Sequence, residues 1–370
     1  MKIAIISPAY PTKDSHSYAF VHVRAQLYQK ANAKVKVFVL SKVTGKYTLD
    51  NIDIEKNNKS SLRQIIVEFK PDVIAIHYPT YKSISLVKSL RFPKVAWLHG
   101  HEILWNFRLG AAKNAIDFLK KRLVVLPREL YQKLCVRQFL LSINTAVFVS
   151  DWLRKNAEKQ TLAKYRNSVI IANPIDCDLF NYRLRIPDGM AISLRNLDNT
   201  KYGIDIAIKA FSGLTNVHLV IVGKGRLVSR YQALIRRLKS NSQIITDTID
   251  HDKLPKYYDK FCIFIAPSRK ETQGLAMCEA MATGMPVIAA DVGGIPEFVR
   301  DGVDGYLFKK NNFKSLAQAV NKLVLNKKQF MEMSQNARNH ILQKCSHKLI
   351  VNMELEILKG AIINLNRKSN

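Results

Sequence analysis

Residues 261–297 read FCIFIAPSRKETQGLAMCEAMATGMPVIAADVGGIPE. A buried-type apolar run, 261–266, ends in a polar turn from Pro267 to Gln273. A helical stretch follows from about Gly274 to Thr283, stops at Gly284, and gives way to a second apolar run at Pro286. Two short apolar strands joined by a helix must run parallel, because a tight turn can only reverse the chain. The unit therefore predicts a doubly wound α/β sheet. It also sets the free amides of a helix's first turn beside the loop that leaves a strand, where the helix dipole favours an anion or sugar hydroxyls.

The same rhythm extends in both directions. Strand-like runs recur at 190–194, 217–222 and 243–246 in the second half, and at 3–7, 35–40, 73–77, 94–98 and 145–149 in the first, where a helical stretch covers about Phe20 to Lys30. Residues 172–189 are rich in Asn, Pro, Asp and Gly and read as a connection. The expected organisation is a first domain over 1–172, a linker over 173–189 and a second domain over 190–349, the two facing a central cleft. The closing residues 314–362 read as wholly helical, with a last helix at about 350–370 that can pack back on the first domain.

At 370 residues, with 47% hydrophobic and 24% charged residues, the chain is long enough for two cores and is not of disordered composition. Lys and Arg number 58 against 29 Asp and Glu, a formal net charge of +29. That field favours phosphate-bearing substrates, anionic lipid or nucleic acid. The densest basic run is only Lys120, Lys121 and Arg122, so no nucleic-acid partner is expected. Five scattered cysteines, none in a two-residue-spaced pair, argue against a disulfide framework and a zinc site. The apolar run in MKIAIISPAYP is too short for a signal-peptide core, and no stretch is long enough to span a membrane. The expectation is a cytoplasmic protein, at most peripheral on the cytoplasmic face of the inner membrane. Residues 112–140 mix Lys and Arg with Leu, Val and Phe at roughly helical spacing, a pattern that fits an anionic membrane surface and equally a packed helix.

Within 267–297, Glu271 lies in the loop and Glu279 in the helix, so the two carboxylates can accept hydrogen bonds from the diols at two ends of an elongated ligand. Pro267, Ser268, Glu271, Gly274, Glu279, Ala280, Gly284, Pro286, Val287, Gly293, Gly294, Pro296 and Glu297 fall in register with the signature of glycosyltransferase family 4. The chain resembles that group of retaining, nucleotide-sugar-dependent enzymes, the group 1 glycosyltransferases of GT-B fold. VIIANPIDCDLF (169–180), ISLRNLDNTKYGIDIAIKAF (192–211), VGKG (222–225), the Tyr257–Tyr258 pair and FVSDWLRKN (148–156) also look like family segments.

The resemblance implies two Rossmann-like domains, the first for acceptor and the second for donor. It implies that Arg195 and Lys201 neutralise the donor diphosphate, with Gly223 nearby, so that no metal or other cofactor is needed. Two fixed cations are physically suited to stabilise a leaving diphosphate. Glu279 would hold the ribose; Glu271, with the Gly274 and Leu275 amides, would hold the sugar. His99, in WLHGHEIL (97–104), would lie near the reaction centre, with His101 and Glu102 as further polar candidates on the acceptor side.

Two departures stand out. Ser17 and Tyr18 occupy positions where the family carries a glycine, which narrows the acceptor side. Thr272-Gln273-Gly274 replaces the usual Gly-Phe-Gly that lines the sugar. The implied activity is transfer of a sugar from a UDP- or GDP-linked donor to a glycan or lipid-linked acceptor, in envelope polysaccharide, lipopolysaccharide or glycoconjugate synthesis. The alternative is a non-catalytic basic protein of the same fold that binds anionic membrane or nucleic acid. Asp176-Cys177-Asp178 spells a metal-binding triplet of unrelated glycosyltransferases, but it lies in the linker and is short enough to arise by chance. Gly223-Lys224-Gly225 lacks the third glycine and the acidic residue of a dinucleotide fingerprint.

Overall fold

The computed structural model describes residues 1–12, 18–105, 121–247 and 249–369, with the side chains of 121 and 365–369 outside the description. The chain divides into two compact units, Met1–Pro174 with Ile350–Asn370, and Ile175–Leu349.

The described strands of unit 1 are β1 (Lys2–Ser7), β2 (Lys34–Leu40), β3 (Gly45–Leu49), β4 (Ile52–Asn57), β5 (Val73–His77), β6 (Lys94–Leu98), β7 (Thr145–Phe148) and β8 (Ser168–Ile170). They form one sheet in the order β3-β4-β2-β1-β5-β6-β7-β8. Every neighbouring pair is parallel except β3–β4. That hairpin turns on Asp50 and Asn51, both at positive φ, the geometry of a type I′ turn. The sequence reading missed it because GKYTL, the edge strand, and IDIEKN beside it are polar and lack a continuous apolar run. The central strands β1, β5 and β6 are buried along most of their length, which accounts for their legibility.

Helices α1 (Ala19–Lys30), α2 (Lys59–Phe69), α3 (Tyr81–Val87), α4 (Leu126–Ser142) and α5 (Asp151–Thr161), with a π-helical turn over Lys121–Val125 leading into α4, complete the described part of this unit up to Pro174. Asn58, Thr80 and Ser150 cap α2, α3 and α5 with side-chain oxygens, satisfying amides that the first turn leaves open.

Unit 2 carries β9 (Met190–Leu194), β10 (His218–Val222), β11 (Ser242–Ile245), β12 (Ile263–Ala266), β13 (Val287–Ala290) and β14 (Gly305–Phe308). The order is β11-β10-β9-β12-β13-β14, parallel throughout. The chain starts at the centre, walks outward through β10 and β11, then returns to place β12 on the far side of β9. The loops leaving β9 and β12 therefore diverge, and the crevice outside their carboxyl ends is the usual ligand site of such sheets. Helices α6 (Ile204–Phe211), α7 (Val228–Leu238), α8 (Leu254–Tyr258), α9 (Leu275–Ala282), α10 (Phe313–Leu325) and α11 (Lys327–Cys345) surround the sheet. Residues 175–189 pack within this unit: Phe180 is fully buried, and the buried Arg185 donates to the carbonyls of Tyr258 and Phe261 and to the Thr283 hydroxyl.

The closing segment is helical throughout, as three helices. Breaks fall at Asn326, whose side chain caps the next helix, and at the extended Ser346, which precedes α12 (His347–Ser369). From α12, Glu354 enters the core of unit 1. Its carboxylate accepts from Arg24 Nε at 2.9 Å, the Tyr28 hydroxyl at 2.6 Å and Trp97 Nε1 at 2.9 Å. Removing one member of such a buried ion pair leaves the other charge uncompensated and costs about 3–5 kcal/mol.

Candidate active site

Arg195 leaves the carboxyl end of β9 and is 8% exposed. Its Nη1 donates to the Leu194 carbonyl at 3.1 Å, while Nε and Nη2 are buried with no partner among the described residues. The guanidinium lies 5.5 Å from the Phe264 ring on β12 and 5.8 Å from that of Tyr202. Lys201 Nζ lies 4.7 Å from the centre of the same Tyr202 ring, so one aromatic side chain is flanked by both cations. Burial and the nearby Lys201 charge lower the pKa of Lys270, which marks a third cation in the group. Among the described residues neither Arg195 nor Lys201 has a carboxylate partner in an ion pair. Ser193 Oγ and Ser268 Oγ are also buried without partners among those residues. Buried polar atoms in folded proteins are nearly always paired, so such a group at a strand-order switch point is the signature of a ligand or water site.

Backbone approach holds the cations in place. Gly203, at φ +65°, sits so close to β12's loop that a Cβ there would lie 1.8 Å from the Pro267 carbonyl oxygen. Arg269 completes the seam: its amide donates to the Lys201 carbonyl at 2.6 Å, and its guanidinium grips Asp205 with two bonds of 2.9 and 2.7 Å. Gly223 is accounted for in the same way. A Cβ on it would lie 1.8 Å from the Arg195 carbonyl oxygen, so the glycine lets the end of β10 lie against the arginine's loop. Gly225 does likewise against Leu197 and Asp198.

Around α9, Gly274 adopts φ +89° at the N-cap and offers no side-chain cap, leaving the first-turn amides from Leu275 onward open to an outside acceptor. Glu271 is half-buried just before it, one oxygen accepting from the Thr272 amide at 3.1 Å. Gly293 lies on the Glu271 carbonyl, and Gly294 donates to it at 3.0 Å. Glu279, on the second turn of α9, is 14% exposed in its side chain and takes a 3.0 Å contact from His251 Nε2. That bond raises the His251 pKa against the opposing pull of burial. The buried Tyr258 hydroxyl lies within electrostatic range of both Glu279 and Arg195. One face of the unit thus holds both cations and the helix carboxylate. The sequence reading did not single out His251; a lone histidine in the loop before Tyr257 carried no spacing signal.

In unit 1, His99 follows β6 and is 8% exposed. Its Nε2 lies 3.5 Å from Nδ1 of the fully buried His77 at the end of β5. The Tyr78 ring stacks on His99 at 4.9 Å and 13°, and Phe20 packs at 4.5 Å. Burial, reinforced by the Arg24 charge, pushes both histidines well below the ordinary range, so each is a neutral imidazole. His77 Nε2 and Arg24 Nη2 are buried without partners among the described residues. Tyr18 adopts φ +62° at the N-cap of α1, the left-handed conformation that favours glycine, and packs edge-on against Tyr78 at 5.2 Å. Ser17 lies outside the described residues.

Glu102, read as an acceptor-side contact, is turned back on its own loop. Its carboxylate accepts from the amides of His99 and Gly100, and burial pushes its pKa up to about 7 against those bonds. His101 beside it is exposed. The triplet Asp176-Cys177-Asp178 has a local purpose: Asp176 Oδ1 accepts from the amides of Asp178 and Leu179, and the buried Cys177 faces inward. Among the described residues no group of three His, Cys, Asp or Glu side chains is placed to hold a metal, and no helix is long and apolar enough to cross a membrane. Residues 112–120 of the basic apolar segment lie outside the description.

Comparison with known proteins gives this geometry a lineage. Residues 183–340 match the family model of glycosyl transferases group 1. The sulfoquinovosyl transferase of Arabidopsis thaliana is 24% identical over 277 residues, 70% of this chain and 51% of that protein, so the chain spans about half its length. Sucrose-phosphate synthase from Thermosynechococcus elongatus superposes with a TM-score of 0.78 at 16% identity, covering 98% of this chain and 99% of that one. The Anabaena protein HepE, solved in complex with UDP and glucose, gives 0.75 at 18% identity over 97% and 99% of the two chains. These neighbours establish the fold as GT-B. Over residues 183–340, in the unit that carries Arg195, Lys201, Glu271 and Glu279, the chain is similar to the group 1 glycosyltransferases.

Proposed function

We propose that the chain is a retaining glycosyltransferase of the family 4 type. It moves a hexose from a UDP- or GDP-linked donor to a glycan or lipid-linked acceptor, at the cytoplasmic face of the membrane and without a metal ion. One observation carries the reading. Arg195 holds two buried, unpartnered guanidinium nitrogens beside Lys201, at the switch point between β9 and β12. An anion that accepts from both nitrogens would satisfy them, and a diphosphate can do so while also meeting Lys201.

Departure of a nucleoside diphosphate develops charge on its bridging oxygen. Preorganised cations stabilise that charge without reorganising, and removing one such donor typically costs about a hundredfold to a thousandfold in turnover. In this reading Glu279 takes the ribose hydroxyls, its carboxylate held in place by His251. Glu271 and the open amides of Gly274 and Leu275 take the sugar. In unit 1 the neutral His99 is a hydrogen-bonding partner for the reacting sugar, and Tyr18 limits the acceptor. No enzymic nucleophile is assigned.

The test is thermal stabilisation by UDP, GDP and ADP against sulfate and heparin, followed by nucleoside diphosphate release from a panel of sugar donors with EDTA present. Selective stabilisation by one diphosphate and turnover in EDTA are expected. Equal stabilisation by heparin would favour the non-catalytic basic protein, and loss of turnover in EDTA would overturn the metal-free mechanism.

A further inference from the structure

The outer face of α4 carries large apolar side chains in addition to those of its buried face. Leu130, Tyr131, Leu134 and Leu141 are 47, 57, 48 and 49% exposed, and Leu123 and Val124 just before the helix are 66 and 58% exposed. The inward face packs Val136, Phe139 and Leu140 into the core and also buries Lys133, 5% exposed, whose ammonium donates to the Leu104 carbonyl. A helix whose outer face meets only water carries its polar residues there. A contiguous apolar strip on the outside marks contact with another phase or partner.

A second feature adjoins it. A cavity of about 490 Å³ opens beside Ser7 and Thr80, at the carboxyl ends of the adjacent strands β1 and β5, and its lining includes Lys82, Arg128, Val124 and Val125. Lys82 and Arg128 have no ion-pair partner among the described residues, and Glu129 is the carboxylate in the lining. Val124 belongs to both the cavity wall and the exposed strip, and Tyr81 of the cavity packs against Tyr131 of the strip at 5.6 Å. Basic cavity and apolar strip are one surface.

We propose that this surface docks on an anionic bilayer, the outer face of α4 entering the interface and the cavity taking the phosphate of a lipid headgroup between Lys82 and Arg128. Charge selects this occupant. With a formal net charge of +29, a second copy would set Arg122 and Arg128 against themselves, whereas anionic headgroups complement them. The inference rests on the reading of unit 1 as the acceptor side and sharpens it: the acceptor class is a phosphate-bearing lipid held at the membrane surface.

The test is sedimentation of the full chain with phosphatidylcholine vesicles, with and without phosphatidylglycerol, at low and high salt. Binding that requires phosphatidylglycerol and weakens with salt is expected. Each basic side chain near an anionic surface contributes about a factor of five, so Lys82→Gln with Arg128→Gln should weaken partitioning about twenty-five-fold. Leu130→Glu with Leu134→Glu should abolish it. Both pairs are surface changes that leave the melting temperature and the UDP response intact, so failure here is distinguishable from failure of the transferase reading. The proposal is overturned if the wild-type chain ignores anionic vesicles, if both double variants bind as it does, if free glycerol phosphate displaces the protein completely, or if the leucine variant instead dissociates an oligomer.

Discussion

Arg195→Met separates function from stability in a way that few site substitutions do. Methionine keeps the apolar stem against Phe264 and Tyr202 and deletes the guanidinium. In the ligand-free protein that removes two buried nitrogens without partners, each costing about 1–3 kcal/mol. It also forfeits the bond to the Leu194 carbonyl, worth about 1 kcal/mol, and ring contacts worth about 1–2 kcal/mol. The balance runs from about 1 kcal/mol less stable to about 4 kcal/mol more stable than wild type, a melting-temperature change between a fall of about 2–4 °C and a rise of about 8–16 °C for a unit of this size. The response to diphosphate should collapse. Wild type is expected to gain about 3 kcal/mol at a hundredfold excess over Kd, and the variant almost none. Differential scanning fluorimetry with and without UDP and GDP reads both quantities. A variant destabilised by more than about 2 kcal/mol, or one that keeps the full ligand shift, would show the arginine to be structural and refute the reasoning.

Three further outcomes follow from the geometry. Gly203→Ala places a methyl group 1.8 Å from the Pro267 carbonyl oxygen, so denaturant unfolding should show a loss of more than about 2 kcal/mol and the diphosphate response should weaken; an unchanged midpoint would mean that the two loops are not in contact. At Tyr18, alanine loses the Tyr78 contact and keeps the strain of φ +62°, whereas glycine relieves it, so Tyr18→Gly should be more stable than Tyr18→Ala by about 1 kcal/mol; equal midpoints would refute this. His251 has a raised pKa in the folded state, so its bond to Glu279 contributes stability that is fully present below the ordinary histidine value of 6.5 and is lost as pH rises through the higher folded value. His251→Gln should flatten that part of the stability profile, and parallel profiles for the two proteins would dismiss the pair.

Much of the fold was legible along the chain because its central strands are covered on both faces and therefore appear as unbroken apolar runs. β1, β5, β6, β9, β12 and β13 all show this pattern. β3, β4 and the three-residue β8 do not, because they are edge or near-edge strands with little apolar surface to hide. The breaks that divide the closing helices are single residues, Asn326 and Ser346, too slight to interrupt an amphipathic pattern.

The sequence named the candidates through the family resemblance: two cations after one strand, two carboxylates around a helix start, a histidine after another strand, each written within a few positions of a strand end. Placement was decided by strand pairing across long separations. Only the reversal between β9 and β12 brings residues 195–203 against 264–271, leaves Arg195 buried without a partner, and makes Gly203 and Gly223 sites of close backbone approach. Only folding turns Glu102 back onto its own amides and carries His251 to Glu279. Burial and pairing are properties of surroundings, and surroundings are assembled from segments that the linear order keeps apart.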